Sequence, residues 1–496
     1  MTMKSALLLL ALAPLALAPL AFAQGYYPPS AAPGPTYRSM DEINPRIPLN
    51  QFTTPGDSTS VFKITKAGSY MLTGNLKPPA GKNGILIGLL VPGVVEVDML
   101  GFTIDGSDAG PGAAAVLTDN SAIWTDDDDS GFGNGTIRNF GTAAYFPAVA
   151  AAGTLELSDL RILGGGAGVN TAARLLMRNV FISGGSGIPV QMGGDSVLQG
   201  VTIKTSHAGI PKIIAGTGSR HRLTEVAVSS FSFGASQPTA IELGPESTIN
   251  GMSLRLTDAT FTSSVLSNTS GFTEVSGLDM ELNNVTAPTA CNSYSFGASQ
   301  PGILGTTYGG NGQGFFTYEK IASVITANNC TFSSAVVNLP ALATSSDNCC
   351  PRFSLTGTTT TTTVLRVDGE GLTIAPKINI AATTSVTGPV LNVSGNGNTV
   401  SANIRGLSSG GTGILISAGR SHRVIGCSIS GRNDGPVTGI KLAAGVNNAL
   451  VNNENITEFA AGSTVVDNLG ANNSIAPTVS GAAIATNTNP FAIIIH

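Results

Sequence analysis

Between residues 159 and 280 the chain returns six times to one short phrase: Asp159-Leu160-Arg161-Ile162, Asn179-Val180-Phe181-Ile182, Gly200-Val201-Thr202-Ile203, Glu225-Val226-Ala227-Val228, Gly251-Met252-Ser253-Leu254 and Gly277-Leu278-Asp279-Met280. Each copy is a Gly, Asn or other polar residue followed by apolar-any-apolar. The first apolar positions, 160, 180, 201, 226, 252 and 278, are 20, 21, 25, 26 and 26 residues apart. Alternation with period two marks a strand that buries one face. A unit of that length cannot bury its apolar face alone, so its recurrence predicts a β-solenoid stabilised by stacking of coils. Weaker copies fall at Phe102, Ile137, Cys330, Leu372 and Cys427. A leucine-rich repeat would show a fixed Leu and Asn ladder, which is absent.

A second repeat works at longer range. Gly218-Ser-Arg-His-Arg-Leu223 runs on to Thr239-Ala-Ile-Glu-Leu243, and Gly419-Arg-Ser-His-Arg-Val424 runs on to Thr438-Gly-Ile-Lys-Leu442. The same coil template is used twice with one loop changed in length, as solenoid loops allow. His221 and His422 therefore sit at equivalent places in remote coils, which suggests a role at the start of a coil and favours structural or surface placement over catalysis.

Composition agrees with an all-β fold. Of 496 residues only 25 are basic and 30 acidic, 42% are hydrophobic, and 62 are Gly and 27 Pro. A disordered chain would carry more charge and fewer apolar residues, and a helical one would fill exposed positions with Glu and Lys. A net charge of -5 with no run of Lys or Arg gives no general attraction to nucleic acid.

Lys4 precedes an apolar stretch from Ala6 to Ala18, and Ala21-Phe22-Ala23 offers the small residues a signal peptidase reads. Residues 1–23 are thus expected to be a signal peptide cleaved before Gln24. No later apolar run approaches a membrane span, so the mature chain is expected to be exported to an extracellular, periplasmic or cell-surface location without a transmembrane segment. Residues 24–38 read as a Pro-rich linker, 39–476 as the solenoid with a long insertion near 290–325, and 477–496 as a tail. Cys291, Cys330, Cys349, Cys350 and Cys427 are odd in number. One bridge among Cys291, Cys330 and the 349/350 pair is open in an oxidising compartment, while Cys330 and Cys427 lie in apolar alternations that suit buried thiols. The Thr358–Thr363 run reads as a β-prone edge or linker.

Several stretches resemble the right-handed parallel β-helix proteins of the pectate-lyase-like superfamily, in particular the secreted bacterial branch without assigned activity. They are Thr54-Pro-Gly-Asp57, Val61-Phe-Lys-Ile64, Gly68-Ser-Tyr-Met-Leu-Thr-Gly-Asn75, Gly84-Ile-Leu-Ile87, Val97 to Ile104, Gly133 to Phe140 and Ala485 to Phe491, so the resemblance covers roughly residues 40 to 491. It implies a right-handed parallel β-helix and leaves function open, because such helices host lyases, hydrolases, epimerases and adhesins. The galacturonan hydrolases of that superfamily carry Asn-Thr-Asp, double-Asp, Gly-His-Gly and Arg-Ile-Lys elements, and none is assembled in this chain. Five coil steps separate Arg161 from Asp279 in the repeat, about 24 Å, so the two cannot serve one substrate bond. Lys204 and Arg255 flank the same column and read as solvated edge charges.

Two groups of candidate binding residues remain. Asp126, Asp127, Asp128 and Asp129 are the densest charge in the chain; a solvated loop is one interpretation and a calcium site another, since calcium wants several carboxylate oxygens. The nonapeptides Ser230-Phe-Ser-Phe-Gly-Ala-Ser-Gln-Pro238 and Ser293-Tyr-Ser-Phe-Gly-Ala-Ser-Gln-Pro301 agree at eight of nine positions. If both project from one corner, Phe231, Phe233, Tyr294 and Phe296 would form a stacked aromatic patch about 10 Å long that could lie against successive sugars; alternatively the two loops pack on each other. The sequence thus reads as a secreted or cell-surface β-helix, non-enzymatic, with a glycan-binding or structural role and no cofactor beyond a possible calcium ion. A diverged polysaccharide lyase or glycoside hydrolase acting on uronate-containing polymers is the alternative.

Overall fold

The six phrases stack in register. In a computed structural model, Arg161 pairs with Phe181, Phe181 with Thr202, Thr202 with Ala227, Ala227 with Ser253 and Ser253 with Asp279, every pairing parallel. The apolar residues on either side of each, from Leu160 and Ile162 to Leu278 and Met280, are at most 2% exposed. The column continues through Val324, Arg352, Lys377, Asn403, Ser428 and Asn455. The structure describes residues 46–475 except 89–92, 111–112, 119–128, 141, 147–153, 165–166, 172–173, 185–186, 206–211, 269–272, 293–314, 317–322, 343–347, 350 and 453–454, and also 493–494.

Three strands make a typical coil, as in Val190–Met192, Val197–Gln199 and Thr202–Thr205. The first kind of strand builds a continuous 16-stranded sheet in chain order, from Ser60–Ile64 to Thr464–Asn468. The other two kinds share a broad 26-stranded sheet, until the middle strand of the later coils moves into a separate seven-stranded sheet that starts at Asn348–Cys349. No helix occurs among the described residues. This is an all-β parallel solenoid whose apolar core runs along the stack of coils.

The polar residue that opens each phrase has a backbone cause. Asp159 and Asn179 have φ of 52°, Glu225 53°, and Gly200, Gly251 and Gly277 62°, 69° and 63°. Each is a left-handed corner, within the strand Thr154–Leu163 at Asp159 and between strands at the others, a conformation that Gly adopts freely and Asn or Asp more readily than other residues. A second left-handed corner precedes the middle strand, at Asp195, Arg220, Glu246, Gly397, Ser421 and Asn472. The residue after each, Ser196, His221, Ser247, Asn398, His422 or Asn473, is buried. That corner is hard to see in sequence because its inward residue is polar.

Two of the weaker repeat copies belong elsewhere. Thr331, after Cys330, pairs with Thr286 and Thr360 at the far end of the broad strands, and Thr373, after Leu372, pairs with Thr399 in the seven-stranded sheet. Ile137 pairs with Ile162 and not with Leu160, so Gly135 holds the first inward place. A Cβ there would lie 2.5 Å from the Cβ of Met99, whose side chain fills the space.

Other motifs also resolve into structure. In Thr54-Pro-Gly-Asp57, the Asp57 carboxylate accepts from the N–H and hydroxyl groups of Thr59 and Ser60 and from Lys63. Its burial raises the pKa, but these donors outweigh that effect and hold it well below the usual carboxylate range. Cys291 and Cys330 are buried free thiols, so the bridge considered for them does not form, and Cys427 is buried as well; burial pushes the Cys291 and Cys330 thiols up. The threonine run is neither edge nor linker. Thr359 and Thr361 point inward, where their hydroxyls donate to the carbonyls of Thr356 and Thr363 at 2.7 and 2.8 Å.

Candidate functional site on the outward face of the broad sheet

The two histidines belong to the core. Nε2 of His221 lies 3.1 Å from the Gly218 carbonyl and Nε2 of His422 3.0 Å from the Ala418 carbonyl. A carbonyl only accepts, so the neutral tautomer protonated on Nε2 is required. Nδ1 of each ring is buried and has no hydrogen-bond partner among the described residues. Burial pushes both imidazoles below their ordinary pKa, against the opposing effect of the carbonyl contacts. Neither ring reaches solvent, so neither can transfer a proton to an external substrate.

Function must therefore be sought on the outer surface, where the broad sheet presents its aligned outward columns. On the earlier coils, several charges there are paired with neighbours. Arg138 pairs with Asp105 at 2.7 Å, Arg178 with Glu156 at 3.3 Å, and Arg255 with Asp279 at 3.0 Å and with Glu281. Arg255 is thus half of an exposed ion-pair cluster and not a lone solvated charge. Lys204 is exposed, as expected, but it stands 5.8 Å from the centre of the Phe181 ring, with Arg161 at 5.9 Å from the adjoining coil. The ring is half-buried between the two cations, an arrangement that favours both partners electrostatically.

Later on the same face lie Arg352, Lys377 and Arg405, all exposed. Arg352 and Lys377 are direct partners on adjacent coils, and Arg405 pairs with Asn379, two residues beyond Lys377. None of the three makes an ion pair among the described residues. Each is carried by an alternating strand whose inward residues, Phe353, Leu355, Ile378, Ile380 and Ile404, anchor it in the core.

Of the aromatic candidates, Phe231 and Phe233 fall within the strand Ala227–Gln237, in register with Thr257 and Ala259. This stretch is a strand of the broad sheet and not a projecting loop. Tyr294 and Phe296 lie outside the described residues. Their nonapeptide follows Thr289–Asn292, a strand of the continuous sheet, so the two copies do not begin at equivalent points of the coil. Asp126, Asp127 and Asp128 also lie outside the described residues, while Asp129 opens the strand Asp129–Arg138 and pairs with Thr154. Among the described residues, no three His, Cys, Asp or Glu side chains gather as a metal site. No helix there is long and apolar enough to cross a membrane. The phrase repeat did not point to the Arg352, Lys377 and Arg405 group, because the phrase fades after Met280.

No family model matches the chain, and no curated protein matches it in sequence. Among solved structures, the Streptococcus pneumoniae surface protein and adhesin PfbA aligns over 87% of this chain and 91% of its own, at 9% identity and a TM-score of 0.23.

Proposed function

We propose that the protein is an exported β-solenoid that binds a glycan on the outward face of its broad sheet, outside the cell or at its surface, without catalysing a reaction on it. The observation that carries this is Phe181, an aromatic ring held on the outer face between Arg161 and Lys204. The half-exposed ring offers apolar contact to the C–H groups of a sugar, and the flanking cations hydrogen-bond its hydroxyl or acidic groups. The strand that carries Phe231 lies two coils further along the same sheet, where that residue would extend the contact. Calcium at Asp126–Asp129 belongs to the same proposal as an accessory to binding. Export rests on the leader-like residues 1–23, and the pectate-lyase-like resemblance supplies the polysaccharide context.

A glycan array probed with the mature chain tests this. Binding that falls at least about tenfold in Phe181→Ala, with an unchanged melting temperature, supports the assignment. Unsaturated products or new reducing ends from uronate polymers would instead make it an enzyme.

A further inference from the structure

We infer that Arg352, Lys377 and Arg405 form a second binding site, for a linear glycan bearing anionic groups, distinct from the Phe181 site. The two lie six coil steps apart, about 29 Å. Among the described residues, charge directly faces charge across adjacent coils in four register pairs. Three of them join opposite signs: Asp105 with Arg138, Arg255 with Glu281 and Lys441 with Asp467. The fourth sets Arg352 against Lys377. Like charges directly opposite each other weaken a sheet, and nothing in the fold requires them. The same column holds Thr202, Ala227, Ser253 and Asn403 on other coils.

Adjacent positions do not neutralise the pair. Val324 precedes Arg352 in the column, Asn403 follows Lys377, and Arg405 is flanked by Asn379 and Ser430. Three exposed cations are thus kept within roughly 10 Å along the stacking direction, among Ser354, Asn379 and Asn403, which can exchange hydrogen bonds with hydroxyl groups. The spacing of coils is close to the rise of one sugar in an extended chain, so successive anionic sugars can meet successive cations. A lipid surface would call for an apolar rim, which these strands do not present. Duplex nucleic acid would call for a larger basic surface than three cations on a chain of net charge -5.

The mature chain should be titrated with fluorescently labelled polygalacturonate at low ionic strength, with dextran sulfate, neutral dextran and a short DNA duplex as parallel probes. The site predicts binding to polygalacturonate, to dextran sulfate or to both, none to neutral dextran, and an affinity that falls on the order of tenfold or more between about 50 and about 200 mM salt. Carboxylate and sulfate as the recognised group are separated by which of the two anionic polymers binds more tightly. Arg352→Ser combined with Lys377→Ser and Arg405→Ser should weaken binding by at least roughly tenfold. The triple variant should keep any binding to neutral sugars that Phe181→Ala removes, so this site and the aromatic one fail independently. Lys377→Glu serves as the folding control. It turns the like-charge pair into an opposite pair, so it should keep or raise the melting temperature while cutting affinity. The proposal is overturned if neither anionic polymer binds, if the triple variant or Lys377→Glu binds like the parent, or if the DNA duplex binds more tightly than both glycans.

Discussion

The coils that carry Gly218 and Gly419 share one template and differ in one corner. In the first, His221 reaches back three residues to the Gly218 carbonyl; in the second, His422 reaches back four, to Ala418. Three of the four neighbours in these columns follow the same division, the fourth being Ala449 after His422. Ser196 and Ser247 donate to Gly193 and Gly244, three residues back, both at 2.7 Å. Asn398 donates to Ser394, four residues back, at 3.0 Å and also to Gly369 of the previous coil at 2.8 Å. A short side chain closes the tight corner and a longer one the wide corner, while imidazole spans either. The inward polar position is therefore a lock on a corner carbonyl that would otherwise be buried unsatisfied. Gly216 belongs to the first lock, since a Cβ there would lie 2.7 Å from Nε2 of His221.

The largest effects should come from breaking these locks. His221→Ala and His422→Ala each remove a ring and strand a carbonyl, and should cost about 2–4 kcal/mol in denaturant unfolding. His422→Asn should cost clearly less, because Asn398 already closes a corner of that length. Equal losses for Ala and Asn would show that ring volume matters and the carbonyl does not.

Acid should act next. The folded-state pKa of both imidazoles is depressed, so between that value and the ordinary one near 6.5 the unfolded chain binds protons that the folded chain refuses. Their contribution is full above about pH 6.5 and is lost as pH falls toward the folded-state value. Thermal melts from pH 7.5 downward should show this loss in the parent and a shallower one in a His422→Asn variant. At lower pH Asp105 adds its own loss. Its burial is outweighed by donors from Asn139, Ser107 and Arg138, which hold it at about 2, so its stabilisation is present above the usual carboxylate value and disappears as pH falls through about 2.

A smaller effect of opposite sign separates the coils. The left-handed corner after the middle strand is Glu225 in the first coil and Gly426 in the second, with φ of 53° and 69°. Glu225→Gly should stabilise the protein by about 1 kcal/mol if left-handed strain exceeds the entropy that Gly adds to the unfolded chain. The smallest effect concerns the outward residue of the continuous sheet, where charge is reversed. Glu242 pairs with Lys212 in the first coil, and Lys441 with Asp467 in the second at 2.8 Å. Lys441→Ala should cost no more than about 1 kcal/mol, with most of that screened by salt.

How much of this was legible in the sequence follows from which positions alternate. The column from Arg161 to Asp279 could be read residue by residue, because its inward neighbours are apolar and its corner residues are Asp, Asn, Glu or Gly. The corner before the middle strand could not, because Ser196, His221 and Ser247 are buried yet polar. Only the Gly218 and Gly419 repeat pointed there, and it gave His221 and His422 equivalent places but at a coil start, whereas they close the corner between a coil's first and middle strands. The cations of the later coils escaped notice for a different reason. Arg352, Lys377 and Arg405 are scattered over three coils of low charge density, and only strand register brings them together. The aromatic nonapeptides are the converse case, since near-identical sequences entered the coil at different points.

The structural role of the two histidines can be settled by the nitrogen chemical shifts of their side chains, measured from pH 7.5 to pH 5. Both rings should remain neutral, protonated on Nε2, and titrate well below 6.5 if at all before unfolding. Titration near 6.5, or a proton on Nδ1, would contradict the corner lock and return both residues to the list of candidate catalytic groups.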